Sequence, residues 1–413
     1  MAQGDTREVG LDAMVAAGFT ITRAIQSRSW PAASANLEYA AVWGTLSAVS
    51  DEVPRVADDL PVRRVSTLLE PAGRVDGLPA RLASNANTAY IGCYVLGMGF
   101  VIDPTEAQEW IAADARNAEV LFPYLNGEDL NSRPDASASR WVIDFNDWPE
   151  AKAAEYHLPY ERLEGQVKPE RQRLKGDGSY ALRRPLPERW WQYGEKRPAM
   201  RKAIADLTEV LVIALVSKTV MPLRVPAAQV FSHMLGVFAT NDYGDQAVLS
   251  SSLHQLWAIT YGSTLETRVR YTPSDVFETF ARPRPTERLA TAGRTLDEER
   301  REIMLRRDLG LTKLYNLIND STVRADKDVD RMREVHTEID AATIVAYGWE
   351  DVPLGHGFHS YRQVERWAPD ANARAELLDR LLLESHARVA EIAVGRGASE
   401  LATIPVVEGT LFD

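Results

Sequence analysis

The spacing of apolar and polar positions changes three times along this chain, and each change marks a different kind of element. Residues 4–18, GDTREVGLDAMVAAG, carry apolar side chains at helical spacing and close on Gly18, which predicts a short amphipathic helix. FTITRAIQSRSWP and ANLEYAAVWGTL follow as two β-prone runs, broken by Trp30-Pro31 and the small residues at 32–35. A helix and two strands bury too little surface to form a core alone.

Past residue 51 the texture shortens. RRVSTLL, AYIGCYVL, GFVI and RWVIDF read as strand pieces between Gly, Pro, Asn and Asp turns. PTEAQEWIAADA opens on Asp103-Pro104 and places Glu106 in its first turn, a helix start. A second helical pattern covers residues 197–218, yet LTEVLVIALV within it is apolar on nearly every side, so periodicity admits either a buried helix or a central strand. Strand pieces resume at VMPLRV and AQVFSHMLGVFAT. In LETRVRY, alternation puts Glu266, Arg268 and Arg270 on one face of a strand and Leu265, Thr267, Val269 and Tyr271 on the other. Pro283 and Pro285 mark a boundary, beyond which three long helical stretches predict a helix bundle. The fold class expected is α+β, with divisions at 1–50, 51–283 and 284–413.

Composition narrows the chemistry. With 413 residues and 45% hydrophobic content the chain is long enough for two or three domains with real cores. The lone Cys93 cannot form an intramolecular disulfide, which fits a reducing cytoplasm. The longest apolar candidate, LTEVLVIALVSKTVM, carries Glu209 and Lys218 and is too short to span a membrane, and no secretory signal is visible. A net charge of -12 argues against indiscriminate binding to polyanions. Locally the balance reverses. Residues 161–201 hold eleven Lys/Arg against six Asp/Glu, with Trp190, Trp191 and Tyr193 among them, a composition suited either to phosphates and unstacked bases or to a loop-rich surface over a small aromatic core.

Catalytic motifs are sparse. Gly92, Gly97 and Gly99 run through a strand-like segment instead of opening a helix, so turns or bulges explain them better than a nucleotide loop. His356 and His359 sit together in GHGFH without a cysteine partner, a packed loop rather than a metal site. Ser251, Ser252 and His254 lack the GxSxG of a nucleophile elbow. No Pro-Pro dipeptide occurs.

Read together, LFPYLNGEDLN, the block from SSLHQLW to FETF, GMGFVIDPTEAQEW, VKPERQR, FSHMLGVFATNDYG, LTKLYNLIND and AYGWED resemble the C-terminal part of adenine-specific DNA methyltransferases of the MmeI-like (Type IIL/IIG) kind and their relatives in phage-defence systems. FARPRP stands where that family ends its recognition domain with an aromatic-Pro pair. The resemblance implies that 1–50 is the closing hairpin and helix of a Rossmann-like methyltransferase sheet, 51–283 a DNA target-recognition domain and 284–413 a helical domain. It implies base contact from Glu266, Arg268 and Arg270, and phosphate contact from Arg171, Arg173, Lys175, Arg183 and Arg184. Pro123, Tyr124, Asn126 and Gly127 would serve packing.

The family's Gly-rich donor loop and Pro-Pro-aromatic motif are not found here. S-adenosylmethionine would therefore be bound by a methyltransferase catalytic domain or subunit outside this chain, and the chain alone is expected to bind double-stranded DNA without methylating it. Two rivals stand beside this: an interaction protein that no longer meets DNA, and a self-contained enzyme of another chemistry.

Overall fold

In the computed structural model, residues 7–30, 38–50, 52–62, 64–69, 75, 77–265, 268–361 and 364–401 are described. They build a mixed α+β fold with several small sheets, divided into two compact units.

The first unit gathers Met1–Asn85, Glu278–Arg282 and Arg374–Asp413. A π-helical turn, Arg7–Asp12, runs into the helix Ala13–Ala16, which ends before Gly18 at φ +95°. Strand Thr20–Ser29 pairs antiparallel with Glu38–Thr45, from Thr20↔Thr45 to Ser29↔Glu38. Leu11, Ile21, Ala24 and Leu69 form a small core with Phe19, Val42 and Val65 packed against it.

The first strand of this hairpin has a partner on each side. Thr20–Ser29 also pairs in parallel with Arg55–Ala57, which turns back antiparallel into Leu60–Val62. The connecting Asp58 and Asp59 both have positive φ, 46° and 66°, as a two-residue turn between tightly paired strands requires. Their carboxylates stitch the turn to the first strand: Asp58 Oδ1 accepts from Gln26 N at 3.0 Å, and Asp59 accepts from Arg23 at 2.8 Å and from Arg28. The Asp58-Asp59 pair is thus a structural joint. The long helix Ala371–Leu401 is tied to this unit through Ser385 Oγ, which donates to Thr279 O at 3.2 Å, and Arg388 Nη1, which donates to Arg282 O at 2.6 Å. The unit therefore draws on all three of the divisions expected from sequence.

The second unit, Ala86–Phe277 and Pro283–Ala373, contains two four-stranded sheets. One is ordered Leu223–Pro226, Glu209–Ala214, Leu235–Phe238, Ala89–Ile91, all antiparallel. LTEVLVIALV resolves as its interior strand, because Val210, Leu211, Val212 and Ile213 are buried on both faces. The helix before it stops at Ile204. The other sheet is ordered Val230–Phe231, Leu121–Leu125, Arg140–Ile143, Val101–Ile102. At its end Asn126 caps the helix Gly127–Ser132, its Oδ1 accepting from Glu128 N and Asp129 N at 2.8 and 3.0 Å, which accounts for PYLNGEDLN as a packing motif. Asp103 caps Pro104–Ala113 as expected. Gly92 is required by close approach: a Cβ there would stand 2.2 Å from Ser232 O.

Helices Glu287–Arg307, Leu311–Ile318 and Lys327–Tyr347 follow, but the C-terminal third is not purely helical. Gly357–Tyr361 and Val364–Ala368 form an antiparallel hairpin. Arg333 fixes it, lying 4.8 Å from the Phe358 ring and 5.8 Å from the Trp367 ring while donating to the carbonyls of Leu317, Ile318, Asp320 and Val323. His356 is committed to Asp340, with Nε2 2.9 Å from Oδ2, and Asp340 Oδ1 accepts from Ser252 N at 2.7 Å. Among the described residues there is no group of three His, Cys, Asp or Glu able to hold a metal ion, and no helix long and apolar enough to cross a membrane.

His336 lies in the same polar interior, its Nε2 2.7 Å from Tyr315 OH, with Asp340, Arg300 and His356 as its charged or titratable neighbours. Burial pushes its imidazole down from 6.5 to about 4 despite the opposing pull of Asp340. Between those values the unfolded chain binds the proton and the folded one does not, so stability falls as pH drops through that window. Unfolding free energy should decline by about 2 kcal/mol from this group between neutrality and pH ~5. Denaturant titrations at stepped pH check this: His336→Gln should flatten that slope, and an unchanged slope would contradict the assignment.

Candidate nucleic-acid interface

Helices Tyr243–Ser250 and Ser252–Tyr261 meet at Ser251, whose Oγ donates to Val248 O at 2.7 Å and accepts from His254 N. His254 is fully buried: Nδ1 lies 2.8 Å from Leu249 O and Nε2 3.0 Å from Tyr271 OH. SSLHQLW is therefore a helix joint whose histidine anchors the strand ahead of Tyr271.

That strand is not the single run the alternation suggested. Ser263–Leu265 and Arg268–Arg270 are separate antiparallel strands, with Leu265 paired to Arg268, so Leu265 does not share a strand with Val269 and Tyr271. Glu266 lies outside the described residues. Within Arg268–Arg270 the expected alternation holds: Val269 and Tyr271 are buried, Arg268 is half-buried and Arg270 exposed. The hairpin is held on its other edge by Val216–Ser217, paired as Val216↔Arg270 and Ser217↔Val269.

The basic segment divides into an inside and an outside. Arg171 is inside, 1% exposed. Its Nη1 donates to Trp190 O at 3.2 Å and to Gln192 O, and its Nη2 to Val95 O at 2.9 Å and Leu96 O at 2.8 Å. Burial lowers its guanidinium to about 10. The expected phosphate contact from Arg171 is thus corrected, because every direction its two terminal nitrogens can serve is filled by backbone. Trp190, Trp191 and Tyr193 are also buried: Trp191 Nε1 donates to Trp148 O at 2.9 Å, and Tyr193 OH to Ile143 O at 2.9 Å. They are core, not a stacking platform.

Outside, residues 173–181 form a projecting loop. Ala181 N donates to Arg173 O at 2.8 Å, Lys175 N to Ser179 O at 2.7 Å, and Gly178 turns the chain at φ +79°. Arg173, Lys175, Arg183 and Arg184 are all exposed, and Arg184 pairs with Glu188 at 2.8 Å.

The loop's anchorage and the arginine hairpin are linked by short steps through the sheet ends. Tyr94, adjacent to the Val95 carbonyl that Arg171 holds, has its ring 4.4 Å from His233. Met234 O then accepts from Leu215 N at 2.9 Å, and Leu215 O from Tyr271 N at 2.7 Å. Tyr94 is 40% exposed and carries no signal in the sequence, since it stands in the apolar run IGCYVL beside the buried Cys93 and Val95.

A mixed α+β body presenting a braced arginine hairpin and a cationic loop is the arrangement that any comparison must account for. No family model and no curated protein matches this chain. The solved structure of MmeI, a Type IIL restriction-modification enzyme in complex with DNA, is similar in fold, with a TM-score of 0.67 over 94% of this chain at 16% identity. This chain spans about half of that one, 48%.

Arg171→Met should keep the aliphatic packing but leave four carbonyls without a donor, a loss of at least about 3 kcal/mol. Arg171→Lys should recover only part, since one ammonium cannot reproduce the planar fork. Urea unfolding of both variants measures this; wild-type stability in the methionine variant would show the clamp to be dispensable.

Proposed function

We propose that this chain is the sequence-specific DNA-recognition portion of an adenine-specific methyltransferase of a restriction-modification or phage-defence system. Double-stranded DNA is its partner, and it works in the cytoplasm. S-adenosylmethionine and the methyl transfer belong to a methyltransferase catalytic domain or subunit outside the chain. The observation that carries this reading is the pairing, within an MmeI-like fold, of exposed Arg270 and half-buried Arg268 on a strand braced on both sides with an exposed loop and its flank that carry Arg173, Lys175, Arg183 and Arg184.

The two elements suit different jobs. A strand rooted in a buried histidine–tyrosine bond holds its guanidinium groups to a narrow range of positions, and arginine reads a guanine edge in a bidentate way only when so held. A solvent-exposed loop on a single antiparallel bridge adapts to the backbone, and phosphate contact carries affinity without sequence information. The chain's net charge of -12 leaves specific binding to these local surfaces and suppresses binding elsewhere.

Arg268→Ala or Arg270→Ala should relax one position of the recognised site at a cost of about 1–3 kcal/mol there. Arg173→Ala and Arg184→Ala should weaken binding to all sequences alike and reduce the salt dependence by about one unit of slope each. Selection from a randomised duplex pool, followed by titration at several salt concentrations, separates the two. A site preference that shifts with Arg173 and ignores both hairpin arginines would reverse the assignment, and no enrichment from the pool would remove it.

A further inference from the structure

Behind the projecting loop lies an open cavity of about 480 Å³. Arg183, Arg184, Arg189 and Lys196 line it against a single carboxylate, Glu195. Apart from Gln192, the side chains of its remaining wall are apolar or aromatic, Tyr94 and Leu186 among them. A phosphate contact needs only the cations and would leave that wall idle. Tyr94 is held by His233, whose ring packs against it at a tilt of 51° with centroids 4.4 Å apart, and a ring so fixed is suited to take a second flat, apolar face. The volume exceeds what a phosphate group fills and lies within the range that encloses a small organic ligand. Arg171 makes the site rigid, since the same guanidinium grips Val95 and Leu96 on one side and Trp190 and Gln192 on the other.

We propose that this cavity takes one unstacked nucleotide of a DNA strand, its base against Tyr94 and its phosphate among Arg183, Arg189 and Lys196. The proposal rests on the DNA-recognition reading and adds to it that the protein holds a nucleotide outside the helical stack, apart from the hairpin that reads the groove. Paired duplex would leave the cavity unused, and a strand with an unpaired nucleotide would fill it.

The test uses the full chain and two duplexes of one sequence, fully paired or carrying a single bulged 2-aminopurine. Anisotropy titration should show the bulged duplex bound at least about fivefold more tightly, the factor a base–aromatic stack supplies at the low end of its range. Tyr94→Leu should abolish that preference while leaving the paired duplex unaffected, and Tyr94→Phe should retain it. Should Tyr94→Leu fail to fold, 2-aminopurine emission in the wild-type complex gives the second readout: it should fall as the base stacks. Equal affinity for the two duplexes, or unchanged emission on a demonstrably bound bulge, overturns the cavity proposal while DNA recognition stands. Absence of binding to either duplex overturns both.

Discussion

A single buried guanidinium sets the form of the candidate interface. Arg171 has no room for solvent, and its charge is tolerable only because four backbone carbonyls converge on it. Those carbonyls come from two stretches far apart in sequence, 95–96 and 190–192, so the ion can be satisfied only when both are in place. The projecting loop leaves from one side of this clamp, and Tyr94 sits beside the other. An interior charge thereby fixes where the exterior charges stand.

The same use of arginine recurs. Arg333 feeds four carbonyls under the C-terminal hairpin, and Arg224 lies buried with its Nε and Nη2 on Gln246 Oε1 and its guanidinium 4.0 Å from the Tyr243 ring. Arg300 donates to Pro222 O at 2.9 Å from a position 1% exposed. These interior cations are why a count of charges along the sequence misjudges the surface. In the basic segment Arg171 is consumed by carbonyls and Arg201 by Asp144 at 2.6 Å, so the outward charge narrows to the loop and its flanks.

Elements with unambiguous periodicity were legible: the opening hairpin, the capped helix at Pro104, and the long helices after residue 286 all stand where their patterns put them. What failed depended on partners remote in sequence. LTEVLVIALV could be settled as a strand only by neighbours at 223–226 and 235–238, and GHGFH reads as a packed loop although its end enters the strand Gly357–Tyr361, which Val364–Ala368, Arg333 and Asn319 hold from residues remote or unpatterned in sequence. At the interface, alternation correctly set Arg268 and Arg270 apart from Val269 and Tyr271. It missed that Leu265 belongs to a different strand, since alternation cannot signal a reversal of chain direction. Trp190 and Trp191 look alike in sequence whether they stack on bases or fill a core; only burial distinguishes them.

The first unit has a consequence for how the chain reaches its fold. Its opening strands are made early, but Leu82 N waits for Glu278 O, Asn85 Nδ2 for Phe280 O, and the Thr279 and Arg282 carbonyls for Ser385 and Arg388. During synthesis the first unit must therefore remain incomplete while residues 86–277 are made, and its contacts to Ser385 and Arg388 close only after residues 283–373 have followed. The stretch around Leu82 and Asn85 is thus the part of the first unit whose backbone and amide groups stay unpaired longest, water standing in for the carbonyls of Glu278 and Phe280 until those residues are made.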